Sequence, residues 1–91
     1  MSAKYKIAET KTFSKHVANS EFKQVYGKLA NFVYLQLTDN PHFGPNIKKL
    51  KGEYEGVYRD RIGSNRVFYI IDENSKLIFM IDNQKRNDSY K

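Results

Sequence analysis

Three strand-like runs, EGVYRDRI, RVFYIID and KLIFMID, follow one another with only GSN and ENS between them. Each run is rich in the β-branched and aromatic residues that suit a pleated, half-buried surface. Each connection is short and turn-rich, so the chain must reverse at both, and the three runs form an antiparallel meander. The preceding NIKKLKG run offers a further strand, and PHFGPN before it reads as a loop.

Upstream of the meander the apolar period changes from two to between three and four. In SEFKQVYGKLANFVYLQLTDN, Phe22, Val25, Tyr26, Leu29, Phe32, Val33 and Leu37 form one stripe along a helix. Ser20 serves as its N-cap, Glu21 suits the N-terminal dipole, and Asn40-Pro41 ends it. Gly27 costs this helix about 1 kcal/mol relative to alanine unless close packing needs the space. A shorter helix in ETKTFSKHVANS places Phe13 and Val17 four residues apart. Residues 4–8, KYKIA, alternate as a first, edge strand, with Tyr5 and Ile7 on one face. This order predicts an α+β fold: an N-terminal strand and two helices packed on one face of a C-terminal antiparallel sheet.

At 91 residues, 40% of them apolar and including 7 Tyr and 6 Phe, residues 1–91 read as one domain around one modest core. With no cysteine there is neither a disulfide framework nor a thiolate metal site. No secretory leader, lipidation motif or apolar run near the ~18 residues of a membrane span is present, so a soluble cytoplasmic protein without membrane contact is expected. The formal charge of +6 and pI near 9.6 make a phosphate-rich partner plausible. His16 and His42 lack metal-ligand spacing and read as structural or surface side chains, which argues against a histidine-based metal or nucleophile site. No Walker, Rossmann or GxSxG pattern occurs.

The stretch YRDRIGSNR concentrates cations around one turn. If Gly63-Ser64 is a two-residue hairpin loop, Arg61 lies opposite Arg66, Arg59 opposite Phe68, and Tyr58 opposite Tyr69. Tyr58, Ile62, Val67, Tyr69 and Ile71 then share the face that the helices cover. Arg59, Arg61 and Arg66 converge on the open face with Phe68, Ile70, Phe79 and Ile81. Like charges directly opposite each other destabilise a strand pair, so stability alone gives little reason for this arrangement. Arginines beside apolar side chains suit a groove where bases stack and phosphates are held, or a surface that another chain covers. Asp60 falls on the helix-covered face, where a carboxylate needs a partner, unless it sits near the sheet edge against a lysine.

From Asn46 to the end, the sequence resembles the RelE/ParE toxin superfamily, in particular its RelE-like branch. The matching elements are Lys49-Leu50-Lys51-Gly52, Arg59 and Arg61 two apart, Gly63, Asn65-Arg66-Val67 with Tyr69 and Asp72, and the closing Lys85-Arg86-Asn87-Asp88-Ser89-Tyr90. The resemblance implies a microbial ribonuclease-type fold and a toxin of a type II toxin-antitoxin pair. Such a toxin is a metal-independent endoribonuclease that cleaves mRNA in the ribosomal A site and inhibits translation. It needs no cofactor. Its partners would be a cognate antitoxin, mRNA and the ribosome with its rRNA.

By position, the resemblance assigns phosphate binding to Arg59 and Arg61, and catalytic roles to Arg66, Lys85, Arg86 and Tyr90. Lys48, Lys49 and Lys51 form an RNA- or ribosome-facing strip. RelE-like members often carry lysine where this chain has Arg59 and Arg61, and arginine stays protonated. The base is therefore left to Lys85, Tyr90, Glu53, Glu55 or a ribosomal group. Two other readings remain open on the same fold: a ParE-like inhibitor of DNA gyrase, and a catalytically degenerate member that binds only antitoxin or RNA.

Overall fold

The computed structural model describes residues 4–18, 23–63 and 65–85. Strand β1 (Lys6–Glu9) leads into helix α1 (Lys11–Ala18). Then come α2 (Lys23–Lys28), a π-helical turn (Leu29–Val33) and α3 (Tyr34–Asp39). Lys28, Val33 and Tyr34 all keep right-handed helical dihedrals, so these three pieces form one continuous rod. Asn40, at φ −150° and ψ 94°, ends it immediately before Pro41, where the proline ring disfavours a helical predecessor. β2 (Ile47–Lys49), a 3-10 turn (Gly52–Tyr54), β3 (Tyr58–Ile62), β4 (Asn65–Asp72) and β5 (Leu77–Lys85) complete the order. The Ser20 cap and Phe22 lie outside the described residues.

The strands form one sheet in the order β1-β5-β4-β3-β2. β2 to β5 are antiparallel neighbours, as the short connections require. β1 joins the edge of β5 in parallel, Lys6 opposite Leu77 and Glu9 opposite Met80. β5 runs to Lys85, beyond the KLIFMID run, because its last residues stay paired with β4 as far as Asn65. The β3–β4 hairpin has the expected register, with Ile62 opposite Asn65 and Gly63 at φ 62°, a left-handed value glycine adopts without strain.

The helices cover one face of the sheet. Phe13 and Leu29, Leu37, Val67, Tyr69, Ile78 and Met80 are fully buried between the layers, with Tyr5 and Ile62 close behind. Each such side chain contributes about 1.5–3 kcal/mol by leaving water. Tyr69 also donates its hydroxyl to Pro41 O at 2.8 Å, so the α3–β2 loop is pinned to the centre of the sheet.

One residue of the expected helical stripe faces the other way. Phe32 is 68% exposed, as is Leu35. The π turn is the cause, because it absorbs one extra residue into the helix. In a regular helix, positions eight apart diverge by about 80°, whereas positions seven apart nearly coincide. With the extra residue taken up, Tyr26 and Tyr34 come onto one face and donate to the same oxygen of Glu9, at 2.5 and 2.7 Å. Leu29 and Leu37, also eight apart, are both fully buried for the same reason. Gly27 has open space around its absent side chain, so no close approach explains it.

Candidate functional site: a basic sheet face beside an apolar groove

Pleating and register determine which side chains share the open face. One cross-strand row runs Lys48, Arg59, Phe68, Asp82 across β2 to β5, and the next runs Arg61, Arg66, Gln84. Arg59, Arg61 and Arg66 are therefore brought together, Arg61 and Arg66 directly opposite with Cβ atoms about 5 Å apart. Arg61 is exposed, whereas Arg59 and Arg66 are half-buried. The Nε of Arg66 is enclosed and has no hydrogen-bond partner among the described residues.

Beside these rows lies an apolar groove of about 310 Å³, lined by Leu50, Tyr54, Val57, Phe68, Ile81, Asp82 and Gln84. Phe68 and Ile81 come from the sheet. Leu50, Tyr54 and Val57 come from the β2–β3 connection, where the 3-10 turn leaves Tyr54 59% exposed. Strict alternation would not allow both Ile81 and Asp82 to line one groove. A bulge explains it: Phe68 pairs with Asp82 and Tyr69 with Met80, so Ile81 is the extra residue. Met80 and Asn83 on either side both point into the core.

Lys48 shares the arginine face, but Lys49 lies in the opposite row with Tyr58 and Tyr69, its amine 6.0 Å from the centre of the Tyr58 ring. The lysines of this segment are thus divided between faces. Lys49 and Lys51 border a separate depression of about 400 Å³ with Leu50, Gly52 and Glu55. Glu53 and Glu55 are both exposed on the β2–β3 connection. The backbone of Lys85 closes β5 opposite Asn65. Arg86 and Tyr90 lie outside the described residues.

Asp60 takes the core side of β3, 4% exposed, with Val67 and Ile47 as cross-strand neighbours. Among the described residues it has no lysine partner. Burial pushes its carboxyl up to about 6, partly offset by the backbone N–H of Arg61 and by the Arg59 guanidinium. The hairpin register turns its side chain into the core, so it makes no pair with a lysine at the sheet edge.

At the other edge of the sheet β1 stops at Glu9, and α1 takes over alongside the rest of β5. Thr10 Oγ1 donates to Met80 O at 2.9 Å, and Asn83 Nδ2 donates to Phe13 O at 3.3 Å. His16 Nδ1 meets Asp82 Oδ1 at 2.6 Å, and the same oxygen accepts from Asn83 N at 2.8 Å. Sequence reasoning did not foresee this pair, since only the bulge turns Asp82 toward the groove and α1. His42 is likewise tied to the fold, its Nε2 2.7 Å from Glu73 Oε2, while Tyr5 donates to Glu73 Oε1. Among the described residues no group of His, Asp and Glu side chains could hold a metal ion, and no helix is long and apolar enough to cross a membrane.

No family model matches the chain, and no curated protein sequence matches it significantly. Solved structures do. The chain is similar to the toxin-antitoxin complex RelBE2 from Mycobacterium tuberculosis, with 21% identity over 94% of this chain and 95% of that one, and a TM-score of 0.79. It is similar to the archaeal RelE-RelB complex from Pyrococcus horikoshii, with 24% identity, 93% and 98% coverage and a TM-score of 0.71. A structure of Escherichia coli RelE with an antitoxin RelB peptide matches at 18% identity, 96% and 88% coverage and a TM-score of 0.75. An α+β chain with its helices on one face of a mostly antiparallel five-stranded sheet, superposing over nearly its whole length on these structures, has their RelE-like fold.

Proposed function

We propose that this protein is the toxin of a type II toxin-antitoxin pair, a metal-independent endoribonuclease that cleaves mRNA in the ribosomal A site. The observation that carries the proposal is the convergence of Arg59, Arg61 and Arg66 on one sheet face beside an apolar groove. In such a reaction the ribose 2′-OH attacks the adjacent phosphate and the 5′ oxygen leaves. The nucleophile belongs to the substrate, so the protein must position the strand, stabilise charge on the phosphate and move two protons.

The arginines suit the second task. Paired guanidiniums bind phosphate through planar forks, and Arg61 is exposed directly opposite the half-buried Arg66. Phe68 and the exposed Tyr54 offer rings on which bases stack, worth about 1–3 kcal/mol per base. Arg86 and Tyr90, matching the superfamily's closing segment, would complete the site as charge stabiliser and as the ring that orients the scissile nucleotide. The same basic, apolar surface suits an antitoxin segment bearing acidic and apolar side chains, which would hold the toxin inactive in the cytoplasm. The printed descriptions of the similar structures, several of them toxin-antitoxin complexes, support that partner.

The test is translation of a defined message with added protein, mapped by primer extension, for the wild type and for Arg66→Ala, Arg86→Ala and Tyr90→Phe. The wild type is expected to cut within A-site codons. Loss of one charge-stabilising donor is expected to slow cutting by roughly 10²-fold. Absence of cuts from the wild type would sink the proposal, and gyrase-dependent DNA breaks would establish the ParE-like reading instead.

A further inference from the structure

Arginines and a stacking ring hold a nucleotide of any sequence. The β5 side of the groove adds groups that tell one base from another. We infer that the groove reads one base of the bound RNA through the Asp82 carboxylate, accepting bases with an exocyclic amine and rejecting uracil. This rests on the reading of the protein as a ribonuclease, which lays single-stranded RNA on this face.

Two adjacent cross-strand rows form a small grid over β3, β4 and β5. One row is Arg59, Phe68, Asp82 and the other is Arg61, Arg66, Gln84. Arg59 and Arg61 make up the β3 column, Phe68 stands in the middle column beside Arg66, and Asp82 and Gln84 make up the β5 column. Neighbouring columns are about 5 Å apart. A nucleotide whose phosphate lies on the arginines sets its base over Phe68. The far edge of that base then meets β5, about 10 Å from the β3 column. Phe68, Tyr54, Asp82 and Gln84 line the same cavity of about 310 Å³, which is at the small end of ligand sites and suits one planar base.

The bulge supplies the carboxylate. With Tyr69 opposite Met80, unbroken pairing would set Ile81 beside Phe68, and the extra residue brings Asp82 there instead. One carboxylate oxygen is committed: Oδ1 accepts from Asn83 N at 2.8 Å and meets His16 Nδ1 at 2.6 Å. Among the described residues Oδ2 has no hydrogen-bond partner, and the side chain is 35% exposed.

A carboxylate oxygen only accepts, so it pairs with an N–H of the amine of cytosine, adenine or guanine. Uracil presents a carbonyl oxygen where cytosine has its amine. Two acceptors facing each other beside apolar walls leave both unpaired. The Gln84 amide both donates and accepts, which suits the ring nitrogen or carbonyl next to the amine. A tether between α1 and β5 would not need a carboxylate on the groove, because the Thr10 and Asn83 hydrogen bonds already hold that junction.

The test is fluorescence anisotropy at fixed salt with three labelled hexamers: cytidine, uridine, and cytidine with a dimethylated amine that has no hydrogen to donate. The wild type is expected to bind the cytidine hexamer at least about 5-fold more tightly than the other two, the lower end for one base contact. Asp82→Asn, whose amide can donate to uracil or accept from cytosine, is expected to melt like the wild type and bind the cytidine and uridine hexamers equally. Equal binding of those two by the wild type overturns the inference, as does a preference that survives in folded Asp82→Asn. A dimethylated hexamer bound like cytidine also overturns it, and that result does not depend on the variant folding. Cutting of ribosome-bound message is scored separately. A wild type that cuts without discriminating overturns the inference alone, whereas one that discriminates and never cuts overturns the ribonuclease reading alone.

Discussion

Replacing Asp60 by asparagine removes a carboxylate that the hairpin register forces into the core. The side chain is nearly inaccessible, and burial raises its carboxyl from 3.8 to about 6. Each pH unit between folded and unfolded values corresponds to about 1.4 kcal/mol, so ionised Asp60 costs the folded state about 3 kcal/mol at neutral pH. The sign follows from which state holds the proton more tightly. A raised carboxyl favours the protonated folded state, so there is no penalty well below pH 4. It grows as pH rises from about 4 to about 6 and is constant above.

Asp60→Asn keeps the size of the side chain and never ionises. Urea unfolding at pH 7.5 is expected to show a gain of about 2–3 kcal/mol over the wild type, shrinking to about 0.5 kcal/mol at pH 4. Other titrating groups are common to both proteins and cancel in the difference. A variant less stable than the wild type at pH 7.5 would refute the reasoning, and so would a gain that does not change with pH.

Three further outcomes follow from the same geometry. Arg61→Ala relieves the charge facing Arg66 and is expected to stabilise the hairpin by up to about 0.5 kcal/mol while weakening single-stranded RNA binding, measured by melting and by fluorescence anisotropy. Tyr34→Phe removes one of the two donors to Glu9 and is expected to cost about 1 kcal/mol in urea unfolding. Deletion of the exposed Asn31 takes the extra residue out of the π turn and places Tyr26 and Tyr34 seven apart in a regular helix. That variant is expected to keep stability within about 1 kcal/mol, whereas deletion of a residue from regular α3 would cost several.

Local rules reached far into this fold. The period of two in the strands, together with a two-residue turn at Gly63, left a single register for the hairpin. A one-residue slip would have exposed Val67 and Tyr69 and buried Arg66, which burial energetics forbid. The convergence of Arg59, Arg61 and Arg66 was therefore legible before any coordinates. The helix was legible as well, but not the direction of Phe32, because nothing local in KLANFV signals that the turn will take up an extra residue. The lysines of NIKKLKG read as one strip only when pleating is ignored; as a strand they divide, Lys48 beside Arg59 and Lys49 beside Tyr58.

What the sequence by itself determined is what depends on neighbours a few residues away: the strands and helices, the hairpin pairing and the basic face. What only the tertiary structure decided depends on groups distant along the chain. β1 pairs in parallel with β5, seventy-one residues on in register (Lys6 with Leu77), and its short length leaves room for α1. The bulge at Ile81 reconciles β4 with β5 and turns Asp82 outward. His16 and Asp82, sixty-six positions apart, meet because of both. Contacts of this kind are selected by how whole layers pack, and no local period encodes them.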